Sequence, residues 1–169
     1  MNPVVSKNNK IRWKFENAKN LGENGMYSDL FKIGDTKWKI KIKNRKAQNS
    51  DLNYLAIYLF YESGNKNEEN WICQAERTVK LICQTGTEKD ISRIGNVCFS
   101  KSSLNWGYHD IYKWNTMIAF GYMKDDAIEV EIDFDFQLYY DFSKNIPNYT
   151  DITLKVGNTN FYINKGVSL

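Results

Sequence analysis

The stretch that most restricts this fold is "KWKIKIK", Lys37 to Lys43, together with its acidic counterpart "EVEIDFDF", Glu129 to Phe136. In the first, Trp38, Ile40 and Ile42 alternate with Lys37, Lys39, Lys41 and Lys43. In the second, Val130, Ile132, Phe134 and Phe136 alternate with Glu129, Glu131, Asp133 and Asp135. A period of two sends every apolar side chain to one side of a pleated strand and every charge to the other. Each segment therefore reads as a strand with one buried and one wet face, the pattern of an antiparallel sheet. "IRWKFEN" (11–17), "NYLAIYLFY" (53–61), "WICQAERTVKLIC" (71–83) and "NVCFS" (96–100) extend the series. "NLGENG", "IGDT", "ESGNKNEEN" and "QTGTEKD" supply turns between them. One short segment, "DIYKWNTMIA" (110–119), reads as helix. About six strands separated by turns argue for an all-β sandwich or barrel, and strand number alone does not choose between the two.

Composition narrows the function classes. The chain is 42% hydrophobic, 25% charged and 15% aromatic, the balance of a globular domain rich in strand. A net charge of +3, with acids and bases well mixed, argues against a nucleic-acid partner. No run of about 18 apolar residues offers a membrane span, and "MNPVVSKNNK" lacks the apolar core of a signal peptide. Three cysteines, Cys73, Cys83 and Cys98, are an odd set without a CxxC pair. They read as free thiols of an intracellular protein, cytoplasmic or nuclear. In that compartment the sequon at Asn148 carries no weight.

Catalytic chemistry finds little to stand on. His109 is the sole histidine, which excludes a metal centre built on two of them, and a packing or surface role outweighs a Cys–His pair. No glycine-rich phosphate loop is present, so neither a cofactor nor an enzyme is expected. The acid ladder Glu129, Glu131, Asp133, Asp135 has members about 6.6 Å apart. That resembles the spacing of a two-carboxylate glycosidase or a cradle for a divalent ion. Like charges in a row repel unless wet, so a solvated outer face is the expectation, and the lysine ladder 37–43 is read the same way. Trp13 and Trp38 lie on or beside apolar faces and are assigned to the core. Trp106 and Trp114 keep open a sugar-binding sandwich that stacks carbohydrate on exposed rings.

The order of the segments then resembles a known family. "IRWKFEN", "MYSDLFKIGDTKWKIKIKN", "NYLAIYL", "NWGYHDIYKW" and "GYMKDDAIEVEIDF" look like a MATH (TRAF-like) domain over residues 8–137. After a linker at 138–149, "DITLKVGNTNFYINKGVSL" resembles the first hairpin of a BTB/POZ domain, 150–169, left incomplete. The two in this order resemble the MATH–BTB adaptors. The resemblance implies an eight-stranded antiparallel β-sandwich followed by a β-hairpin. It implies a non-enzymatic protein-binding module that captures short linear motifs of substrates for a cullin-type ubiquitin ligase. Cullin binding and BTB dimerisation are implied only for a longer product, and neither nucleic acid nor membrane is implied. A TRAF-type signalling scaffold is the alternative within the same fold, made less expected by the roughly ten residues before the first strand. A lone two-stranded hairpin is marginal in water, so the tail is expected to be loosely held.

By position, the resemblance assigns a peptide groove to Tyr58, Arg77, Cys98, Leu104, Asn105, Trp106, Gly107 and Tyr108. Tyr58, Trp106 and Tyr108 would wall a furrow shared on one side of the sheet, and Gly107 would let a peptide backbone approach. Core packing is the other reading for Tyr58 and Trp106. Arg77 and Cys98 stand where the family's ubiquitin adaptors carry aromatic rings, and Leu104 and Asn105 where they carry a Lys–Asp pair. Those departures imply a changed motif preference, toward acidic or phosphorylated residues, with affinity of about micromolar.

Overall fold

The alternation of residues 36–46 forms strand β5 (Thr36–Lys46), and that of 127–140 forms β11 (Ala127–Tyr140). This computed structural model describes residues 4–5, 10–33, 36–48, 50–62, 71–140, 152–156 and 159–163; of 4–5, 71–72, 136–140, 152–154, 156 and 159–163 only the backbone is described. The remaining elements, in chain order, are β1 (Val4–Val5), β2 (Lys10–Glu16), a 3-10 turn (Ala18–Asn20), β3 (Met26–Tyr27) and β4 (Phe31–Ile33). Then come β6 (Asn53–Glu62), β7 (Trp71–Leu81), β8 (Ile91–Ser100), β9 (Asn105–Lys113), α1 (Trp114–Ala119) and β10 (Met123–Lys124). The last two are β12 (Ile152–Val156) and β13 (Thr159–Ile163).

The strands form two antiparallel sheets. One runs β1-β2-β11-β7-β8 with β10 on β11, the other β3-β5-β6-β9 with β4 on β5. β12 and β13 make a separate antiparallel pair, Ile152 opposite Ile163. The all-β sandwich is therefore the architecture. β11 runs to Tyr140, opposite Trp71, past the boundary expected at 137. Residues 141–149 of the expected linker and 164–169 of the tail lie outside the described residues, as does most of "ESGNKNEEN".

The facing sides of the sheets meet around Trp38, which has no exposed surface. Tyr61, Phe99 and Phe134 pack edge-on against its indole with ring centres 5.0, 5.0 and 5.1 Å away. Edge-to-face contact sets the positive rim of one ring on the negative face of another. The indole N–H donates to Thr36 Oγ1 at 2.7 Å, and that hydroxyl donates to the Ile33 carbonyl at 2.6 Å, so the buried polar atoms are satisfied. Ile11, Ile40, Ile42, Leu55, Ile57, Leu59, Leu81 and Ile111 complete the layer.

Two local differences from the sequence reading matter. The helix expected over 110–119 begins at Trp114. Residues 110–113 continue β9 because Ile111 inserts into the core, and only Met117 of α1 is buried. β8 starts at Ile91 rather than 96, since Arg93 and Gly95 sit where apolar residues would have marked its inner face. The β10–β11 turn is a two-residue hairpin loop in which Asp125 and Asp126 have φ of 50° and 58°. This is the left-handed geometry that matches strand twist. Asp126 Oδ1 accepts the Lys19 amide at 2.6 Å and so pins the 3-10 turn.

Candidate functional site at the seam between the two sheets

β8 ends one sheet and β9 ends the other, so their open sides lie along the same flank of the sandwich. The turn between them brings the strands together, and Trp106 closes the seam: its Nε1 donates to the Cys98 carbonyl at 2.6 Å. The indole itself stays 41% exposed, beside Leu104 at 42%. A depression of about 680 Å³ opens against Trp106, lined by Gln74, Glu76, Asn96, Val97 and Cys98. Gln74 faces Cys98, and Glu76 faces both Asn96 and Asp135, across the strand ladder. The depression thus lies on the outer side of the six-stranded sheet, with Trp106 as a rim contributed by the other sheet.

Beneath the seam, Arg77 occupies an inward position of β7 between Ala75 and Val79 and is only 3% exposed. Its guanidinium stacks on the Tyr108 ring, 4.9 Å from the centroid. Nε and Nη1 have no hydrogen-bond partner. Burial lowers the Arg77 pKa, and the adjoining Tyr108 oxygen works in the opposite direction. Room for Tyr108 comes from Gly95, where a Cβ would lie 2.8 Å from the phenol oxygen. A buried cation with unused donors is a costly arrangement, the kind kept for a purpose other than stability.

Tyr58 lies elsewhere. β6 and β9 pair Tyr58 with Gly107 and Ile57 with Tyr108, so Tyr58 and Tyr108 project to opposite faces of their sheet. This corrects the single furrow expected to hold both. Tyr58 is 8% exposed, its hydroxyl 2.6 Å from His109 Nδ1, and Lys43 Nζ lies 5.3 Å from its ring centre. Burial raises its pKa, with Arg45 opposing. Gly107 is occupied from within: a Cβ there would lie 2.3 Å from Ile57 O and 2.5 Å from Tyr58 Cδ1. The missing side chain makes way for the protein's own β6 rather than for a visitor.

Of the residues assigned from sequence, the structure gathers Cys98, Leu104 and Trp106 at the seam with Arg77 and Tyr108 beneath them. Asn105, opposite Phe60, shares the far face with Tyr58 and Gly107. His109 has the packing role expected of it, against the Tyr58 ring, while Gly95 was not singled out. The bulge that leaves His109, Asp110 and Ile111 opposite Ala56 hides the face of the first, and nothing local marks the second. Trp114 packs against the core, so it forms no sugar platform with Trp106. Three of the four ladder acids are ion-paired: Glu129 with Arg12 at 2.6 Å, Glu131 with Lys80 at 3.1 Å and Lys10 at 3.6 Å, and Asp133 with Lys10 at 3.8 Å; Asp135 stands opposite Glu76. Among the described residues no three acidic, His or Cys groups converge as metal ligands, and no helix is long and apolar enough to cross a membrane.

Residues 10–134 match the family model described as MATH domain. BTB and MATH domain-containing protein 38 of Caenorhabditis elegans is 24% identical over 143 residues, covering 79% of this chain and 36% of that protein. A MATH domain and coiled-coil domain-containing protein of Arabidopsis thaliana is 19% identical over 129 residues, 75% of this chain and 40% of its own length. The chain thus spans well under half of these relatives. Among solved structures, TRAF5 of Notothenia coriiceps superposes with a TM-score of 0.54 at 15% identity, over 75% of this chain and 72% of that one, a likeness of fold.

Proposed function

Because the chain belongs to the MATH domain family, whose domains are protein-interaction modules rather than enzymes, we propose that it holds an extended segment of a partner protein along the open side of β9. One observation carries this reading: a strand edge unpaired among the described residues coincides with a half-exposed indole, Trp106, beside the depression over β7 and β8. Main-chain groups on that edge would supply affinity, and the seam would select side chains. Arg77 supports a preference for an acidic or phosphorylated residue, whose charge would meet the unpartnered Nε and Nη1 once the side chain swings out of the buried layer beneath the seam.

At the level of the whole protein, the reading is the substrate-recognition half of an adaptor for a cullin-type ubiquitin ligase. The BTB and MATH composition of the Caenorhabditis elegans relative supports it, as does the resemblance of 150–169 to a BTB opening. A scaffold role independent of any ligase is the second reading, favoured by the coiled coil named in the Arabidopsis thaliana relative. Recovery of cullin with the protein separates the two.

The direct test takes a fluorescent peptide selected from a random 12-residue library on the full chain. Its affinity is about micromolar; Trp106→Ala weakens it by about tenfold or more with unchanged circular dichroism. Arg77→Met removes any preference for Asp, Glu or phosphoserine. Binding indifferent to Trp106→Ala overturns the proposal.

A further inference from the structure

The two charged ladders read alike in sequence and differ in the folded protein. In the acidic one Glu129, Glu131 and Asp133 pair with Lys10, Arg12 and Lys80 from neighbouring strands, while Asp135 stands opposite Glu76. The basic one has a single such pair among the described residues, Lys39 with Glu62. The outward side of β5 carries Lys37, Lys39, Lys41, Lys43 and Arg45, and Lys32 of β4 pairs opposite Lys37. Their cross-strand neighbours on β6 are Glu62, Phe60, Tyr58, Ala56 and Tyr54. Glu62 stands opposite Lys37 and pairs with Lys39, and Asp110 lies at the far end beside Arg45.

These cations are also held in place. Lys39 and Lys41 lie over the Tyr27 ring at 4.8 and 4.7 Å, and Lys43 over Tyr58 at 5.3 Å. Lys37, Lys39, Lys41 and Lys43 are half-buried on the sheet. A row so positioned loses less side-chain freedom on binding than free lysines do. At its end Arg45 and His109 line a depression of about 330 Å³.

We infer that the outward face of β5 and β6 is a second docking surface, distinct from the β8–β9 seam, and that its occupant is an acidic, Asp/Glu-rich segment of a partner protein. Alternate cations on one strand recur about every 6.6 Å, which matches alternate carboxylates of an extended chain. Charge complementarity is what the face offers. Nucleic acid fits it less well. Base stacking needs open aromatic faces, yet Lys39 and Lys41 occupy Tyr27, and Lys43 and His109 flank Tyr58.

The test uses the full chain, a fluorescein-labelled 12-residue Glu/Asp peptide, a 12-nucleotide single-stranded DNA and anionic phosphatidylserine vesicles, at 50 and 200 mM salt. The peptide binds most tightly and weakens on raising salt. Lys37→Gln/Lys41→Gln/Lys43→Gln weakens it by about tenfold, while Lys19→Gln/Lys89→Gln/Lys124→Gln, the same loss of charge elsewhere, changes it by less than about twofold. Both lysine triples are read in the Trp106→Ala/Arg77→Met background, where the seam is disabled and peptide binding to this face persists, so failure of the seam proposal does not mimic failure of this one. If Trp106→Ala abolishes binding, or both lysine triples act equally, or DNA or vesicles bind better than the peptide, the inference is wrong. Should the first triple unfold the chain by circular dichroism, the pair Lys37→Gln/Arg45→Gln reads the same effect as a loss of about threefold, and no loss with that pair also overturns it.

Discussion

Replacing Gly107 by alanine separates a glycine kept for internal packing from one kept for a ligand. The position carries no positive φ, so alanine meets no backbone penalty and the whole cost is steric. The new methyl would lie 2.3 Å from Ile57 O, 2.5 Å from Tyr58 Cδ1 and 2.7 Å from Tyr58 Cα. Two of these atoms are backbone of a central strand and cannot swing aside, so β6 and β9 must separate. Overpacking of this kind costs about 3 kcal/mol, the upper end of the usual range. For a domain with a urea m-value of about 2 kcal/mol/M, the midpoint falls by about 1.5 M. Gly95→Ala is the internal control. Its nearest neighbour is the Tyr108 hydroxyl at 2.8 Å, the far end of a side chain, and the expected cost is below about 1 kcal/mol. Adding Tyr58→Ala to Gly107→Ala does not restore stability, because the backbone contacts remain. Equal midpoints for Gly107→Ala and the parent, measured by urea titration of tryptophan fluorescence, would refute the register between β6 and β9 and with it the division of the site into two faces.

Other outcomes follow from particular residues. Arg77→Met leaves stability unchanged or raises it by about 1–3 kcal/mol, since removing two buried donors without partners offsets the lost stacking and side-chain hydrogen bond to Tyr108; a fall of more than about 2 kcal/mol contradicts this. Trp38→Ala costs about 3–5 kcal/mol in thermal or urea unfolding, the loss of a fully buried indole and its edge contacts with Tyr61, Phe99 and Phe134. Thr85 and nearby loop amides pull the Cys83 thiol down to about 7, while burial pushes Cys73 up to about 11. In a Cys98→Ser chain, iodoacetamide therefore labels Cys83 at a rate that rises with pH and reaches half its plateau near 7, and leaves native Cys73 unlabelled. A rate that climbs only above pH 8.5 contradicts that assignment. Millimolar Ca²⁺ or Mg²⁺ shifts the melting temperature by less than about 1 °C, because Glu129, Glu131 and Asp133 face lysine and arginine rather than one another.

The sandwich was legible wherever one strand face is continuously apolar, as at Trp38, Ile40 and Ile42 or Val130, Ile132 and Phe134. It was obscured where the inner face carries a polar or small residue, as at Arg93 and Gly95 of β8. The parity of "CQAERTVKL" did hold the signal that Arg77 points inward with Cys73, Ala75, Val79 and Leu81, although its charge argues for the surface. Which face Tyr58 occupies could not be read from either strand alone. It depends on pairing with Gly107, next to a bulge in which three residues, His109 to Ile111, stand against one and look like ordinary strand or helix. The ladders show the same limit: like sequences became a mostly ion-paired face and one with a single pair among the described residues because their neighbours in space differ, Lys10 and Arg12 in one case and Tyr58 and Phe60 in the other.

Amide chemical-shift mapping of the full chain against a library-selected peptide tests the central claim most directly. The account predicts that the largest changes fall on residues 105–113 of β9 and 94–100 of β8, with the Trp106 indole proton among them, and that β9 amides gain protection from exchange. Changes confined to other strands, with β9 amides exchanging as in the free protein, would contradict it.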